Sequence, residues 1–215
     1  MGILDGAFGD FTGRIGNMVF YKLNGKIVGR TIGKVDSRSE SQEEILMRTS
    51  LISPFLTPLK EFIRIGFKHT PKPQDWDFYS VATSLNKPGA IMGKYPKLKI
   101  NYKKVILSKG NVSPAKDVKV SLNDHQLQFS WKPDMEAKNA DASDQVMLVA
   151  YFPEMLKAVF VTSGARRSAG TDMLQLPTFT EKTIIETYIS FITDERNDVS
   201  DSVYAGRLNW NKSLQ

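Results

Sequence analysis

Few side chains in this sequence are of the types that catalyse reactions. Its 215 residues include two histidines, His69 and His125, and no cysteine, which excludes disulfides, thiolate metal sites and cysteine nucleophiles. His69 ends a predicted helix beside Lys68, and His125 lies in the predicted turn LNDHQL. Neither has an evident catalytic partner, and no P-loop, GxGxxG, GxSxG or HExxH motif occurs. We therefore expect no enzymatic activity and no cofactor.

Two acidic segments have side chains that bind metal ions in other proteins. Asp75 and Asp77 stand at a predicted helix start, where this spacing puts them on different faces, so we interpret Asp75 as the cap and Asp77 as a surface acid. Residues 194–201, DERNDVSD, are rich in oxygen ligands but lack the glycine and terminal glutamate of an EF-hand loop. A polar connection between strands is favoured over a calcium site, and we predict no metal.

Basic residues form the other chemically distinctive group. Two stretches contain them beside aromatic or glycine residues: FYKLNGKIVGR, residues 20–30, and SGARRSAGT, residues 163–171. Such residues can contact phosphate or carboxylate groups, although a hairpin loop is the simpler interpretation of the second stretch. The candidate anion-binding residues are Lys22, Lys26, Arg30, Arg166 and Arg167.

The net charge of +6 hides an asymmetry along the chain. Residues 1–110 contain 18 Lys and Arg against 9 Asp and Glu, whereas residues 111–215 contain 11 against 14. This pattern fits an anionic partner for the basic half, or a head-to-tail contact between copies of the chain. Scattered solubilising lysines are the simplest interpretation of the asymmetry.

The N-terminal segment is dense in glycine and contains a hairpin signal. Eight of the 15 glycines fall within the first 33 residues, so ordering this segment requires strong compensating contacts. Asn24 and Gly25 both tolerate the positive φ of a type I′ turn. The turn predicts the following register: Leu23 opposite Lys26, Tyr21 opposite Val28, Phe20 opposite Gly29 and Val19 opposite Arg30.

A two-stranded hairpin is marginally stable in water, so we expect this one to pack between other elements. An exposed ribbon can also add strands to the edge of another sheet, which makes the segment a candidate for contacts between molecules. The candidate assembly interface comprises Phe8, Phe11, Ile15, Met18, Phe20, Tyr21, Asn24 and Gly25.

The middle of the chain has a helical pattern. Ser41 and Glu44 form a capping-box pattern that predicts a helix start, and Pro54 and Pro58 predict a kink or two helices meeting there. A second helix follows Asp75 and stops at Pro88-Gly89. The segment KYPKLKINYKK then alternates as strands do, with Leu98, Ile100 and Tyr102 on one face, and repeats the basic and aromatic composition of the hairpin.

From about residue 111 the sequence contains short β-rich runs separated by turn residues, which is typical of a β-sandwich. Trp131 closes an early strand, and Tyr188 lies in the run ETYISFI. In these placements the segment resembles a fibronectin type III domain, which implies that both aromatic side chains pack in the sandwich core. This resemblance carries no functional implication.

Four stretches together resemble an uncharacterised family of Bacteroidota proteins, domain of unknown function 6266. They are GAFGDFTGRIGNMVFYKLNGKIVGRTIGK, FLTPLKEFIRIGF, IMGKYPKLKINYKKVILSKG and SAGTDMLQLP followed by SVYAG. The resemblance spans nearly the whole chain. It implies a bacterial or phage source and a three-part layout, and it brings no catalytic residues with it.

We predict an α+β, mainly β fold in three parts: an N-terminal arm with a β-ribbon (1–40), a helical segment with connecting strands (41–110), and a fibronectin- or immunoglobulin-like sandwich (111–215). The leading functional hypothesis is a non-enzymatic, self-assembling structural protein. The alternatives are a module that binds polysaccharide or another anionic polymer through Trp76, Trp210 and basic residues, and a nucleic-acid-binding protein. We recognise no cleavable signal and no membrane span, which indicates cytoplasmic synthesis with a possible particle or surface destination.

Overall fold

The computed structural model describes the backbone of residues 2–4 and, with their side chains, residues 11–33, 37–179 and 182–210. The fold is α+β and mainly β. The chain divides into two compact units, Met1–Glu43 and Glu44–Gln215. Within the described ranges, no helix is long and apolar enough to cross a membrane.

The first unit contains a four-stranded antiparallel sheet, here called the arm sheet. Its strands are β1 (Gly2–Leu4), β2 (Gly13–Ile15), β3 (Met18–Leu23) and β4 (Lys26–Thr31), in the order β1-β4-β3-β2. The turn residues Asn24 and Gly25 have φ angles of 50° and 80°, as a type I′ turn requires. All four predicted register pairs are observed, so the hairpin prediction is confirmed.

Both edges of the β3–β4 hairpin are occupied by strands of the same chain. β1 pairs with β4, and β2 pairs with β3. The hairpin therefore packs between other elements, as predicted. The prediction that the hairpin itself offers edges for strand addition is wrong, because its outward backbone groups are used by β1 and β2. The strands at the edges of the arm sheet are three residues long.

A helical segment follows, with its first cap displaced from the predicted position. It comprises α1 (Glu40–Leu56), a 3₁₀ turn (Thr57–Leu59) and α2 (Lys60–Gly66). The capping box is formed by Ser39 and Gln42, each side chain accepting a hydrogen bond from the other's backbone N–H. The same pattern thus occurs two residues before the predicted one. α1 and α2 are joined by the 3₁₀ turn, in the region where Pro54 and Pro58 predicted that two helices meet.

The second predicted helix is α3 (Phe78–Gly89), and its cap is Asp77 rather than Asp75. The Asp77 carboxylate accepts a hydrogen bond of 2.8 Å from the backbone N–H of Ser80, which lowers the pKa of Asp77. The hairpin β5 (Ile91–Lys94) and β6 (Lys97–Ile100) follows. Tyr102 lies in a 3₁₀ turn after β6, so it does not continue the strand face of Leu98 and Ile100.

The C-terminal strands form a β-sandwich, as predicted. A three-stranded sheet has the order β11-β8-β7, and a four-stranded sheet has the order β10-β9-β12-β13. The strands are β7 (Lys116–Asn123), β8 (Gln126–Lys132), β9 (Gln145–Phe152), β10 (Lys157–Val161), β11 (Thr171–Gln175), β12 (Thr183–Ile192) and β13 (Val203–Trp210). The two sheets share one buried core, to which Phe129 and Leu174 contribute from one sheet and Leu148 and Phe191 from the other.

The helical segment covers the outer face of the four-stranded sheet. Met147, Val149 and Tyr151 of β9 belong to a second buried cluster with side chains of the helices. Phe55 meets Tyr151 edge to face, with ring centroids 4.6 Å apart. Because β9 and β12 are covered on both faces, nearly every residue of both strands is buried, and the sequence of β9 is a nearly continuous apolar run.

Trp131 and Tyr188, on which the resemblance to a fibronectin type III domain depends, lie in different cores. Trp131 is in the sandwich core, where its indole N–H donates to the carbonyl of Arg167. Tyr188 faces the opposite side of its sheet and belongs to the cluster beneath the helical segment. The expectation that both pack in the sandwich core is therefore wrong for Tyr188. Its hydroxyl donates to the carbonyl of Tyr102, which joins the 3₁₀ turn after β6 to the sandwich.

Candidate functional site

One face of the arm sheet has an apolar patch, formed by Phe11, Ile15, Met18 and Phe20. Ile15 is paired with Met18 across β2 and β3, so their side chains share a face, and Phe20 lies two residues further along β3. Phe11 meets Phe20 edge to face at 5.7 Å. The exposed fractions of Phe11, Ile15 and Met18 are 38%, 54% and 38%. Four predicted interface residues are thus brought together.

The opposite face of the arm sheet, here called the basic face, carries Arg14, Lys26 and Arg30. Arg14 and Arg30 flank Val19 in adjacent strands, and Lys26 lies on the same face at the turn. The Arg30 guanidinium lies over the ring of Tyr21 at 6.0 Å. Tyr21 is therefore separated from the apolar patch.

The remaining predicted arm residues have other positions. Lys22 points to the face of the apolar patch, away from the other cations. Asn24 and Gly25 form the exposed turn. Gly29 allows Phe20 to lie across β4, because a Cβ there would stand 2.7 Å from the Phe20 ring. Phe8 lies outside the described residues.

The Arg166–Arg167 pair is not a two-residue anion site. Arg167 is 1% exposed, and its Nε donates to Asp144, which is 2% exposed, over 3.0 Å. It also donates to the Ser113 carbonyl, and its guanidinium lies 3.8 Å from the centre of the Phe191 ring. The Arg167 prediction is corrected, because its charge is already bound inside the sandwich. Arg166 is exposed.

The histidines and acidic residues are separated. His69 is exposed after α2, and the His125 ring stacks on Trp210. In the 194–201 segment, Asp198 accepts from both the backbone and the side chain of Asn111, and Asp201 accepts from the backbone of Gly110. Across the described ranges, no three histidine or acidic side chains are grouped to hold a metal ion.

The two tryptophans considered for polysaccharide binding differ in accessibility. Trp76 is exposed, with 41% of its surface accessible. Trp210 is buried, and it packs against Phe179 at 5.5 Å. The prediction that Trp210 binds polysaccharide is wrong, because its side chain is buried and a sugar ring cannot reach it.

A buried carboxylate on β12 organises a site that the sequence analysis missed. Glu186 is completely buried on the outer face of the four-stranded sheet. One oxygen accepts from Arg207 Nε and Nη2 at 2.8 and 2.6 Å, and the other accepts from the Tyr204 hydroxyl at 2.6 Å. A signal was present, namely a glutamate inside the apolar strand TIIETYISFI.

A β-bulge brings the partners of Glu186 together. Tyr204 and Arg207 are three residues apart, so in a regular strand they would point to opposite faces. The register shifts between Thr187 and Tyr188, so that Glu186 pairs with Arg207 while Tyr188 pairs with Tyr204. The extra residue in β13 turns both side chains to the same face.

The charge of Glu186 affects the ionisable groups around it. Burial raises the pKa of Tyr204, and its hydrogen bond to Glu186 raises it further. Burial also raises the pKa of Tyr102, with a smaller contribution from the Glu186 charge. The hydrogen bond to Glu186 raises the pKa of Arg207. These groups therefore remain protonated at neutral pH, where Arg207 is positively charged.

Tyr204 and Arg207 line a groove of about 690 Å³. Its other wall is formed by Met92 of β5 and by residues 99–103, at the end of β6 and in the 3₁₀ turn after it. The other polar side chains of this groove are Lys99, Asn101, Tyr102 and Lys103. Both lysines are exposed, and the exposed fraction of the Arg207 side chain is 53%. The groove therefore combines two exposed lysines, a partly exposed guanidinium whose charge is paired with Glu186, an amide and two phenols.

The family described as "Family of unknown function (DUF6266)" matches residues 11–206. The chain belongs to this family. The apolar patch, the basic face and Glu186 lie inside the matched residues, whereas Arg207 lies one residue beyond them. No match to a curated protein was found. Membership in DUF6266 assigns no activity, so the functional argument rests on the chemistry of these sites.

Proposed function

We propose that this DUF6266 protein is a non-enzymatic structural protein whose copies associate through the apolar patch of the arm sheet. The observation that carries this proposal is the grouping of four apolar side chains on one face, three of them more than one-third exposed. Apolar side chains gathered on one face favour contact with another protein surface.

The few buried apolar side chains among residues 11–33 of the first unit support the same proposal. Among residues 11–33, the buried apolar side chains are Ile27 and Val28, and neither belongs to the two large clusters. Units of about 40 residues rarely bury enough apolar surface to be stable without disulfides, metals or association. This chain contains no cysteine. Association would provide the missing burial.

A second copy of the chain is the proposed occupant of the patch. Two identical apolar patches can meet about a two-fold axis, in which each patch covers the other. The basic face would then remain accessible, and it can attract the acidic residues 111–215 of a further copy. These two contacts would generate a repeated assembly, such as a bacterial surface layer, a filament or a phage-like particle.

The sandwich is proposed to be fibronectin type III-like. If β7 to β13 are lettered A, B, C, C′, E, F and G, its sheets are A-B-E and C′-C-F-G. This order and the position of Trp131 support the assignment. Tyr188 departs from it, since its ring packs beneath the helical segment. Such sandwiches commonly occur as building blocks of surface proteins.

The experiment compares charge insertions at two methionines of nearly equal exposure. Met18→Glu places a carboxylate in the apolar patch, and Met155→Glu places one in the turn between β9 and β10, outside the arm sheet. Analytical ultracentrifugation over a range of concentrations measures the dissociation constant. We expect wild-type protein to self-associate and Met18→Glu to raise the constant by about tenfold or more, because an unpaired charge would be desolvated. Met155→Glu should change it little.

Two outcomes contradict the proposal. One is a wild-type protein that remains a single copy up to about 1 mM, where even an association worth about 4 kcal/mol becomes visible. The other is an equal effect of both variants, which would mean that added negative charge, rather than loss of the patch, controls association. Hydrogen exchange at the Ile27 amide reports whether the arm sheet remains folded in each variant.

A further inference from the structure

The groove between β13 and residues 99–103 has the features of a ligand site. Its volume of about 690 Å³ is within the range of pockets that take drug-sized ligands. It lies within the second unit, so its walls do not depend on association of the arm sheet. Lys99 and Lys103 contribute positive charge, Arg207 contributes a guanidinium paired with Glu186, and Met92 and Ile100 contribute apolar surface.

The buried Glu186 carboxylate fixes the positions of Arg207 and Tyr204 in the groove. Arg207 donates to the buried Glu186 through Nε and Nη2, which leaves much of the guanidinium accessible. Tyr204 is held by the other carboxylate oxygen, and Tyr102 is tied through its carbonyl to Tyr188. Groups held by neighbouring hydrogen bonds lose little freedom when they bind a ligand. Arg207 and Tyr204 are therefore preorganised beside the two exposed lysines of the groove.

We propose that this groove binds a short segment of an acidic polysaccharide. Carboxylate or sulfate groups of such a chain would pair with Lys99, Lys103 and Arg207. Sugar hydroxyls would exchange hydrogen bonds with Asn101 and the Tyr102 phenol, and the apolar faces of the sugar rings would lie against Met92 and Ile100. The groove supplies a partner for each feature of that polymer.

A nucleic acid fits the groove less well. Binding of single strands relies on open aromatic faces on which bases stack. The Tyr102 ring packs against Phe55 and Tyr151, at centroid distances of 5.9 and 6.0 Å. The Tyr204 ring packs against Tyr188 at 5.5 Å. Both rings are therefore engaged by the protein, and their phenol groups are better suited to hydrogen bonding than to stacking.

The test uses the full chain and a heparin tetrasaccharide in calorimetric titrations. The double variant Lys99→Ala/Lys103→Ala removes two exposed charges of the groove. The matched control Lys119→Ala/Lys132→Ala removes two exposed charges from the three-stranded sheet on the opposite side of the sandwich. Arg207 is not substituted, because its loss would leave the buried Glu186 carboxylate without its cationic partner.

We expect one-to-one binding that weakens by about tenfold or more in the groove variant and by less than about twofold in the control. A neutral maltotetraose should bind at least tenfold more weakly than the heparin fragment, since it cannot pair with the cations. Equal weakening by both double variants would overturn the proposal in favour of general charge attraction. No binding of the heparin fragment, or tighter binding of an oligothymidylate of equal charge, would also overturn it.

Discussion

The two compact units of this protein differ in how they bury apolar surface. In Glu44–Gln215, helices and two sheets stack in three layers, and the middle sheet is covered on both faces. In Met1–Glu43, a single sheet of short strands buries two apolar side chains among residues 11–33. The comparison teaches that a regular sheet with a well-defined register can form where few apolar side chains are buried among residues 11–33.

The largest expected effect tests the second unit through the Arg167–Asp144 pair. Asp144→Ala leaves the Arg167 guanidinium buried without its carboxylate, which should lower the free energy of unfolding by about 3–5 kcal/mol. Denaturant unfolding followed by tryptophan fluorescence measures this change. The control Glu61→Ala breaks the exposed pair with Arg64 and should cost no more than about 1 kcal/mol. Similar losses in both variants would contradict the structural importance of the buried pair.

The next effect concerns alkaline pH. Burial raises the pKa of Tyr151 and Tyr188 above 10.0, their ordinary value. In the unfolded chain these phenols lose protons near pH 10, whereas in the folded chain they remain neutral. Their contribution to the free energy of unfolding is therefore complete below about pH 10. Above that pH it decreases by about 1.4 kcal/mol per pH unit for each phenol that is neutral in the folded chain and ionised in the unfolded chain.

Tyrosinate absorbance and unfolding recorded over the same alkaline titration measure this linkage. We expect ionisation of the buried tyrosines to coincide with unfolding of the second unit. Tyr151→Phe should reduce the dependence of stability on pH in this range, because one raised phenol is removed. Complete tyrosine ionisation in a protein that remains folded would contradict the expectation.

The smallest expected effect tests whether the arm sheet unfolds independently of the second unit. Gly25 has a φ of 80°, so Gly25→Ala should destabilise the hairpin by about 1–2 kcal/mol. Hydrogen exchange at the Val28 amide, which faces Tyr21 across the hairpin, should accelerate accordingly, while the denaturant midpoint of the second unit stays unchanged. The control Gly89→Ala adds a Cβ where no atom lies within 4 Å and should leave the Val28 amide unaffected. A shifted global midpoint in Gly25→Ala would show that the two units unfold together.

Local features of this fold were predictable to within two residues. The Asn24-Gly25 turn sets the hairpin register through backbone conformations available within four residues. The helix cap at Ser39 and the cap at Asp77 each lay two residues from the predicted positions, since the same polar side chains recur nearby. The β-sandwich followed from short apolar runs and regular turns, a pattern that repeats along the chain.

The sequence by itself therefore determined the hairpin, the helix ends and the sandwich class, because each depends on neighbouring residues. Tertiary structure alone decided that Arg167 is buried against Asp144, that Tyr188 faces the helical segment, and that a bulge gathers Tyr204 and Arg207 around Glu186. Those outcomes depend on which face of a strand is covered, and by what. Since a shift of one residue exchanges the two faces of a strand, contacts with distant segments determine which side chains form the site.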